Sequence, residues 1–269
     1  MNSLTLALAQ MQLALGDPAR NLASARAKIV EAKARGADVV VLPELWGSAS
    51  DLQNARTHAT ALDAGLFAEI ARLARENQIA IVGSLLESHN DCFYNTATFF
   101  DARGNCASVY RKLHLVPMFD EDKYLAGGDD ARVFDSDFGK SALAVCYDLR
   151  FPELFRHYAL DGARVIFISA EWPQIRIAHW RALIPASAIE NQVFIAATNC
   201  VGVTGNETFG GRSMIVNPWG DVCVEGDDRD ALLLAQIDLD QVDDVCARVP
   251  VFRGRRADVY ARWKLEVGG

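Results

Sequence analysis

LAVCYDLRFPEL, residues 143–154, runs from an apolar, strand-like stretch into a polar turn, and from Pro152 into a helical pattern. Cys146 stands where the strand stops. It is either a small hydrophobe closing a buried strand or a nucleophile presented at the top of a sheet. In α/β sheets and sandwiches ligands are held at the carboxyl ends of strands, so the choice bears on both fold and function.

Apolar runs of the same length recur on both sides of it: LTLALAQ (4–10), ADVVVLPE (37–44), IAIVGSLL (79–86), YNTATFFD (94–101), CASVYRKL (106–113), SALAVC (141–146), RVIFISA (164–170), QVFIAATN (192–199), RSMIVNP (212–218) and LLLAQID (232–238). They are too short and too rich in Val, Ile and Leu for helices. Helical patterns lie between several of them. Residues 18–35 follow Asp17-Pro18, an N-cap with proline at the first helical position, and stop at Gly36. Residues 63–77, 152–161 and 174–191 read the same way. Strand and helix alternate early, while hairpin-like neighbours appear at 94–113 and 212–238, so the sheets are expected to be mixed. About ten strands exceed one comfortable sheet. The expectation is a four-layer αββα sandwich of two mixed β-sheets with helices on both outer faces, one domain over residues 1–269 ending in a tail at about 250–269.

A chain of 269 residues, 51% hydrophobic and 23% charged, has enough length for a large core. Its formal net charge of −8 argues against nucleic acid or an anionic membrane as partner. No run approaches 18 consecutive apolar residues, and the N-terminus reads as a first strand. Six cysteines without a C-x-x-C pair imply reduced thiols and a cytoplasmic setting. No H-E-x-x-H or Cys/His cluster points to a metal, and no cofactor is expected. VGVTGNETFGGRS, residues 201–213, lacks the order of a phosphate loop and reads as a mobile loop feeding the next strand.

Three polar residues stand at strand ends: Glu44 after VVVLP, Lys112 after ASVYR, and Cys146. Singly each has a plain reading, as a strand-exit acid, half of a solvated basic pair, and a core cysteine. Together an acid able to take a thiol proton, an ammonium able to hold an oxyanion, and a thiol make a complete acyl-transfer set. A thiol–imidazole pair is the alternative. Of the five histidines, His157 and His179 read as helix-surface residues, and His114 as a wall or support near Lys112.

The blocks AQMQLALGDPARNLASA, VVVLPELW, YRKLHL, DEDKYLAGGDD, LAVCYDLRFPELFRHYALDGA, SAEWPQIRIAHWRALIPASAIENQ, GGRSMIVNPWGDV and PVFRGRRADVY, in this order, resemble those of the nitrilase superfamily of carbon-nitrogen hydrolases. CYDLRFPE and the tail are most similar to the ω-amidase branch. The resemblance implies a Glu44, Lys112 and Cys146 triad with Glu121 as a second glutamate. It also implies a homodimer or higher homo-oligomer, with the tail packing on a partner subunit. Two positions depart from the family pattern: Ser187 replaces a common arginine, which puts a structural salt bridge in doubt, and Arg212 replaces a common histidine, with a possible effect on substrate preference.

The chemistry so implied is hydrolysis of a small aliphatic amide through a Cys146 thioester, with Glu44 moving protons and Lys112 and the backbone N–H of Tyr147 holding the oxyanion. For an ω-amidase the substrate would be 2-oxoglutaramate or 2-oxosuccinamate. Arg150 and Arg176 are then the candidates for its carboxylate, with Arg212 at the start of a neighbouring strand, and Trp172 walls the pocket. Hydrolysis of an N-carbamoyl amino acid or another aliphatic amide is the alternative within the family, and an idle oligomeric scaffold the alternative outside it.

Overall fold

Alternation with a period of two builds the first sheet. In β1 (Ser3–Gln10), Leu4, Leu6 and Leu8 join one buried cluster and Ala7 and Ala9 another, so the strand is covered on both faces. The computed structural model describes residues 3–263. After β1 come β2 (Val39–Val41), β3 (Ala80–His89), β4 (Cys92–Phe100) and β5 (Cys106–Arg111). The chain then crosses to a second sheet through β6 (Phe134–Ser136), β7 (Gly139–Val145), β8 (Val165–Ala170) and β9 (Phe194–Asn199). A separate hairpin, β10 (Val201–Thr204) and β11 (Glu207–Gly210), follows. Next, β12 (Met214–Val216) and β13 (Val222–Glu225) complete the second sheet, and β14 (Ala231–Asp238) returns to the first.

The sheets have the orders β14-β1-β2-β3-β4-β5 and β13-β12-β9-β8-β7-β6. Each has a parallel centre, β1/β2/β3 in one and β7/β8/β9 in the other, and antiparallel flanks. Between them the rings of Phe99 and Phe167 meet at 5.9 Å. At the end where the parallel strands finish, Ser169 Oγ donates to Leu42 O at 2.8 Å and Thr198 Oγ1 to Val41 O at 3.1 Å, tying one sheet to the other.

Helices Pro18–Ala34 and Gly65–Asn77 cover the outer face of the first sheet with Ala25, Ile29, Ala32, Phe67, Ile70 and Leu73. The large side chains among these contribute about 2 kcal/mol each by leaving water. The Asp17 side chain accepts from Arg20 N at 3.0 Å, the cap expected ahead of Pro18. Helices Pro152–Leu160 and Ile177–Asn191 cover the second sheet with Phe155, Tyr158, Trp180 and Ile184. The result is the four-layer αββα sandwich.

The ten apolar runs are all strands, though β2 and β12 keep only three residues each. Four further strands, β6, β10, β11 and β13, are three or four residues long and partly exposed, so no apolar run announces them. Residues 201–213, read from the sequence as a mobile loop, instead form the β10–β11 hairpin, in which Val201 pairs with Gly210 and Thr204 with Glu207. Residues 174–176 are a single 3-10 turn ahead of the helix from Ile177. The tail is described to residue 263, with turns at Val251–Gly254 and Ala257–Tyr260; residues 264–269 of the tail lie outside the described residues. No helix among the described residues is long and apolar enough to cross a membrane.

Candidate active site

Cys146 follows the last residue of β7 with φ +44°, a left-handed conformation that costs a non-glycine residue about 1–3 kcal/mol and must be held by its surroundings. Asp148 holds it. Its carboxylate accepts from Val145 N at 2.9 Å, Tyr110 Oη at 2.7 Å and His114 N at 3.2 Å, and His114 Nδ1 lies at 2.7 Å. The His114 ring stacks on Phe151 at 3.6 Å, behind the turn. His114 is thus a support of the nucleophile's turn. β5 ends before it, and it reaches this place through the loop instead of along a strand.

Glu44 lies three residues beyond β2. Its Oε1 accepts from Asn95 Nδ2 at 2.7 Å and Lys112 Nζ at 2.8 Å, and its Oε2 from Glu171 N at 2.9 Å. Lys112 directly follows β5 and is 1% exposed, whereas its neighbour Arg111 turns to a two-pronged pair with Glu87 and stacks on Tyr94. The apparent basic pair therefore separates into a surface-side ion pair and a buried ammonium. Lys112 Nζ also donates to Glu121 Oε1 at 2.8 Å, and Glu121 Oε2 accepts from Val116 N at 2.8 Å. Gly128 lets the chain beyond Glu121 return against the Lys112 strand end: Gly128 N donates to Lys112 O at 2.9 Å, and a Cβ there would stand 2.2 Å from Arg111 O.

Burial works against the Lys112 charge, but the carboxylates of Glu44 and Glu121 outweigh it and hold its pKa well above the ordinary lysine value. It is a permanent cation. Burial likewise pushes Glu121 up, against the pull of Lys112. The Cys146 thiol is pushed well above its ordinary value by burial first and the Glu44 charge second, with Lys112 pulling the other way. The resting nucleophile is therefore a thiol, and sulfur becomes anionic only as a base takes its proton.

The four residues expected to act together are together, and the four expected to bind substrate also share a cavity with Cys146. That cavity, about 320 Å³, is lined by Tyr147, Arg150, Trp172 and Arg176, and also by Phe119 and His179. The Arg150 guanidinium lies 4.7 Å over the Trp172 ring, with Nη2 3.3 Å from His179 Nδ1; Arg176 lies 5.6 Å from the Phe119 ring. His179, read as a helix-surface residue, thus belongs to the pocket wall. Arg212 does not. Its Nη1 points to Gly226 O at 3.4 Å, its carbonyl accepts from Trp180 Nε1 at 2.7 Å, and its left-handed backbone, φ +57°, turns it away from both. Ser187 is buried in its helix, where its carbonyl accepts from Asn191 Nδ2 at 2.9 Å, and it makes no ion pair among the described residues.

Sequence reasoning passed over Asp148, Asn95 and Glu171. The last had a visible signal, an acid directly after a fully apolar strand. Glu171 is 4% exposed; its Oε2 accepts from Ser50 Oγ, and its Oε1 has no hydrogen-bond partner. Burial, then the Glu44 charge, push its carboxyl well above the ordinary value. A raised acid pKa gives stability that is present below the unfolded-state value and is lost as pH rises above it. Glu171→Gln should therefore gain stability relative to the parent as pH rises. The difference in Tm between the two should widen by at least about 2 °C from about pH 5 to about pH 8. Thermal melts at several pH values check this, and a difference independent of pH would mean that Glu171 is ionised in the fold.

A thiol beside a buried carboxylate and ammonium, at the end of the parallel strands of an αββα sandwich, defines a cysteine hydrolase of carbon-nitrogen bonds. The carbon-nitrogen hydrolase family model matches residues 5–246, and the chain belongs to that family. It is 39% identical to the 2-oxoglutaramate amidase of Bacillus subtilis (strain 168), over 95% of this chain and 99% of that one. It is 31% identical to the human omega-amidase NIT2, over 97% and 98%. Among solved structures, an amidase from Nesterenkonia sp. AN1 that carries the product of Michael addition of acrylamide on its active-site cysteine matches with a TM-score of 0.86. The identity there is 25%, covering 97% of this chain and 100% of that one.

Proposed function

We propose that this protein is an ω-amidase-type enzyme that hydrolyses a small amide bearing a carboxylate, with 2-oxoglutaramate or 2-oxosuccinamate as the substrate class. The observation that carries the reading is the pair of guanidinium groups, Arg150 and Arg176, lining one cavity with Cys146 in a protein of net charge −8. The 2-oxoglutaramate amidase and omega-amidase among its relatives support it.

Glu44 takes the thiol proton as Cys146 Sγ bonds to the amide carbon. The oxyanion forms against Lys112 and the backbone N–H of Tyr147, donors already in place before the charge develops. Glu44 returns the proton to the departing nitrogen, ammonia leaves, and a thioester remains. Water, deprotonated by Glu44, attacks that thioester, and the acid and the free thiol are regenerated. Glu121 fixes Lys112 from the side opposite Glu44. The carboxylate of the substrate meets Arg150 and Arg176 across the faces of Trp172 and Tyr147.

A guanidinium grips a carboxylate with two parallel N–H donors, and an ammonium cannot. At the anchoring position Arg→Lys should raise KM for 2-oxoglutaramate about tenfold, with a smaller change for a neutral amide such as butanamide. Steady-state kinetics on Arg150→Lys and Arg176→Lys decide between the two arginines. If neither discriminates between the substrates, the carboxylate preference falls and a general aliphatic amidase takes its place.

The same reading carries the expectation of a homodimer or higher homo-oligomer acting in the cytoplasm. The exposed apolar residues Leu160 and Ile189, on the helices of the second sheet, and Val249, at the start of the tail, support pairing there.

A further inference from the structure

A second cavity, about 360 Å³, also opens on Cys146. It shares only Cys146 and Phe119 with the arginine-lined one, and its character is opposite. Glu44, Glu121 and Glu171 line its inner part and Asp51, Asp120 and Glu207 also face it, with no basic side chain among its described lining residues. Asp51 is engaged by His58 at 2.9 Å and Asp120 by Lys123 at 3.0 Å. Glu207, at the tip of the β10–β11 hairpin, makes no ion pair among the described residues. The buried Glu171 contributes an oxygen without a partner.

The two cavities divide the substrate. In the tetrahedral adduct at Cys146 the carbon carries sulfur, the oxyanion, the acyl chain and the nitrogen. The oxyanion faces Lys112 and Tyr147 N–H. An acyl chain ending in a carboxylate is drawn to the arginines and repelled by the acids. The nitrogen must lie within reach of Glu44, its proton donor, and Glu44 lines the acidic cavity and not the arginine one. Whatever the nitrogen bears therefore projects among the carboxyl groups. Ammonia needs no more room than a water molecule, about 30 Å³, and the cavity is far larger.

We propose that this second cavity is a subsite for the amine half of the substrate, so that the protein also hydrolyses secondary amides whose nitrogen carries a short alkyl chain ending in an ammonium group. This rests on the amidase reading above. Sγ bonds to the carbonyl carbon as its proton passes to Glu44. The C–N bond breaks as that proton reaches the nitrogen, and the diamine leaves through the acidic cavity. Water then gives a proton to Glu44 and its oxygen to the acyl carbon, the C–S bond breaks, and Cys146 recovers its proton. One amide and one water become one carboxylate and one ammonium.

The test compares three substrates with the same acyl half: succinamate, N-propylsuccinamate and N-(3-aminopropyl)succinamate, with succinate and free amine measured chromatographically. The aminopropyl compound is expected to exceed the propyl compound in kcat/KM by at least about tenfold, the effect of a charge meeting complementary charge in a confined site. Glu207→Gln should shrink that ratio by about threefold, as for a partly exposed pair. Because the ratio is taken on one preparation, loss of folded enzyme does not affect it. Turnover of succinamate without either N-substituted compound, equal turnover of those two, or a ratio unchanged by Glu207→Gln would each overturn the subsite. Failure of all three substrates would overturn the amidase reading beneath it.

Discussion

Cys146→Ala is expected to abolish ammonia release from 2-oxoglutaramate while leaving the fold in place. The side chain is 6% exposed, so removing its sulfur costs the transfer energy of one small buried group, about 1 kcal/mol, and the Asp148 clamp that shapes the turn is untouched. That is a shift of a few degrees in Tm for a chain of this size. Catalysis has no substitute, because no other cysteine lines either cavity. Cys200→Ala is the control: Cys200 is equally buried but lines neither cavity, and it should retain activity. Turnover by Cys146→Ala, or its loss in Cys200→Ala, would remove Cys146 from the role.

Glu44→Gln should lower kcat by at least about a hundredfold, the usual contribution of a positioned proton acceptor. It should also lower stability. All three of its partners, Asn95 Nδ2, Lys112 Nζ and Glu171 N, are donors, so in either orientation the new amide sets N–H against N–H. Lys112 loses one of its two carboxylates as well. Unsatisfied buried donors cost about 1–3 kcal/mol. A hundredfold rate loss is about 2.7 kcal/mol, so the two effects are of similar size and must be measured separately. Activity per folded molecule does this, from melts and kinetics on one preparation. If activity per folded molecule falls less than about tenfold, Glu44 is a strut and not the base.

What could be read in the sequence follows from burial. Strands covered on both faces announce themselves as apolar runs, so Leu4 to Ala9 or Val165 to Ala170 are legible, whereas β13, with Val222 and Cys223 exposed, is not. The β10–β11 turn at Gly205-Asn206 carried a hairpin signal, but its glycine-rich flanks looked like a loop. Glu44, Lys112 and Cys146 were legible because each stands at or just beyond a strand end, and the family blocks singled them out. Asp148 was not, because its partners Tyr110 and His114 come from a distant stretch of chain. Arg212 misled because position next to a strand says nothing of side-chain direction, which here is set by Trp180 and Gly226.

The reacting groups come from opposite halves of the sandwich. Glu44 and Lys112 hang from the first sheet, Cys146 and Glu171 from the second, and the hydroxyl ties of Ser169 and Thr198 clip the halves together beside them. The jaws of a vice behave this way: what matters is the gap, and neither jaw can set it alone. The packing of Phe99 on Phe167, remote from any substrate, is therefore part of the gauge that spaces base from nucleophile. A substitution there that merely lets one plate slide by a fraction of an ångström detunes the chemistry while every catalytic side chain is still present.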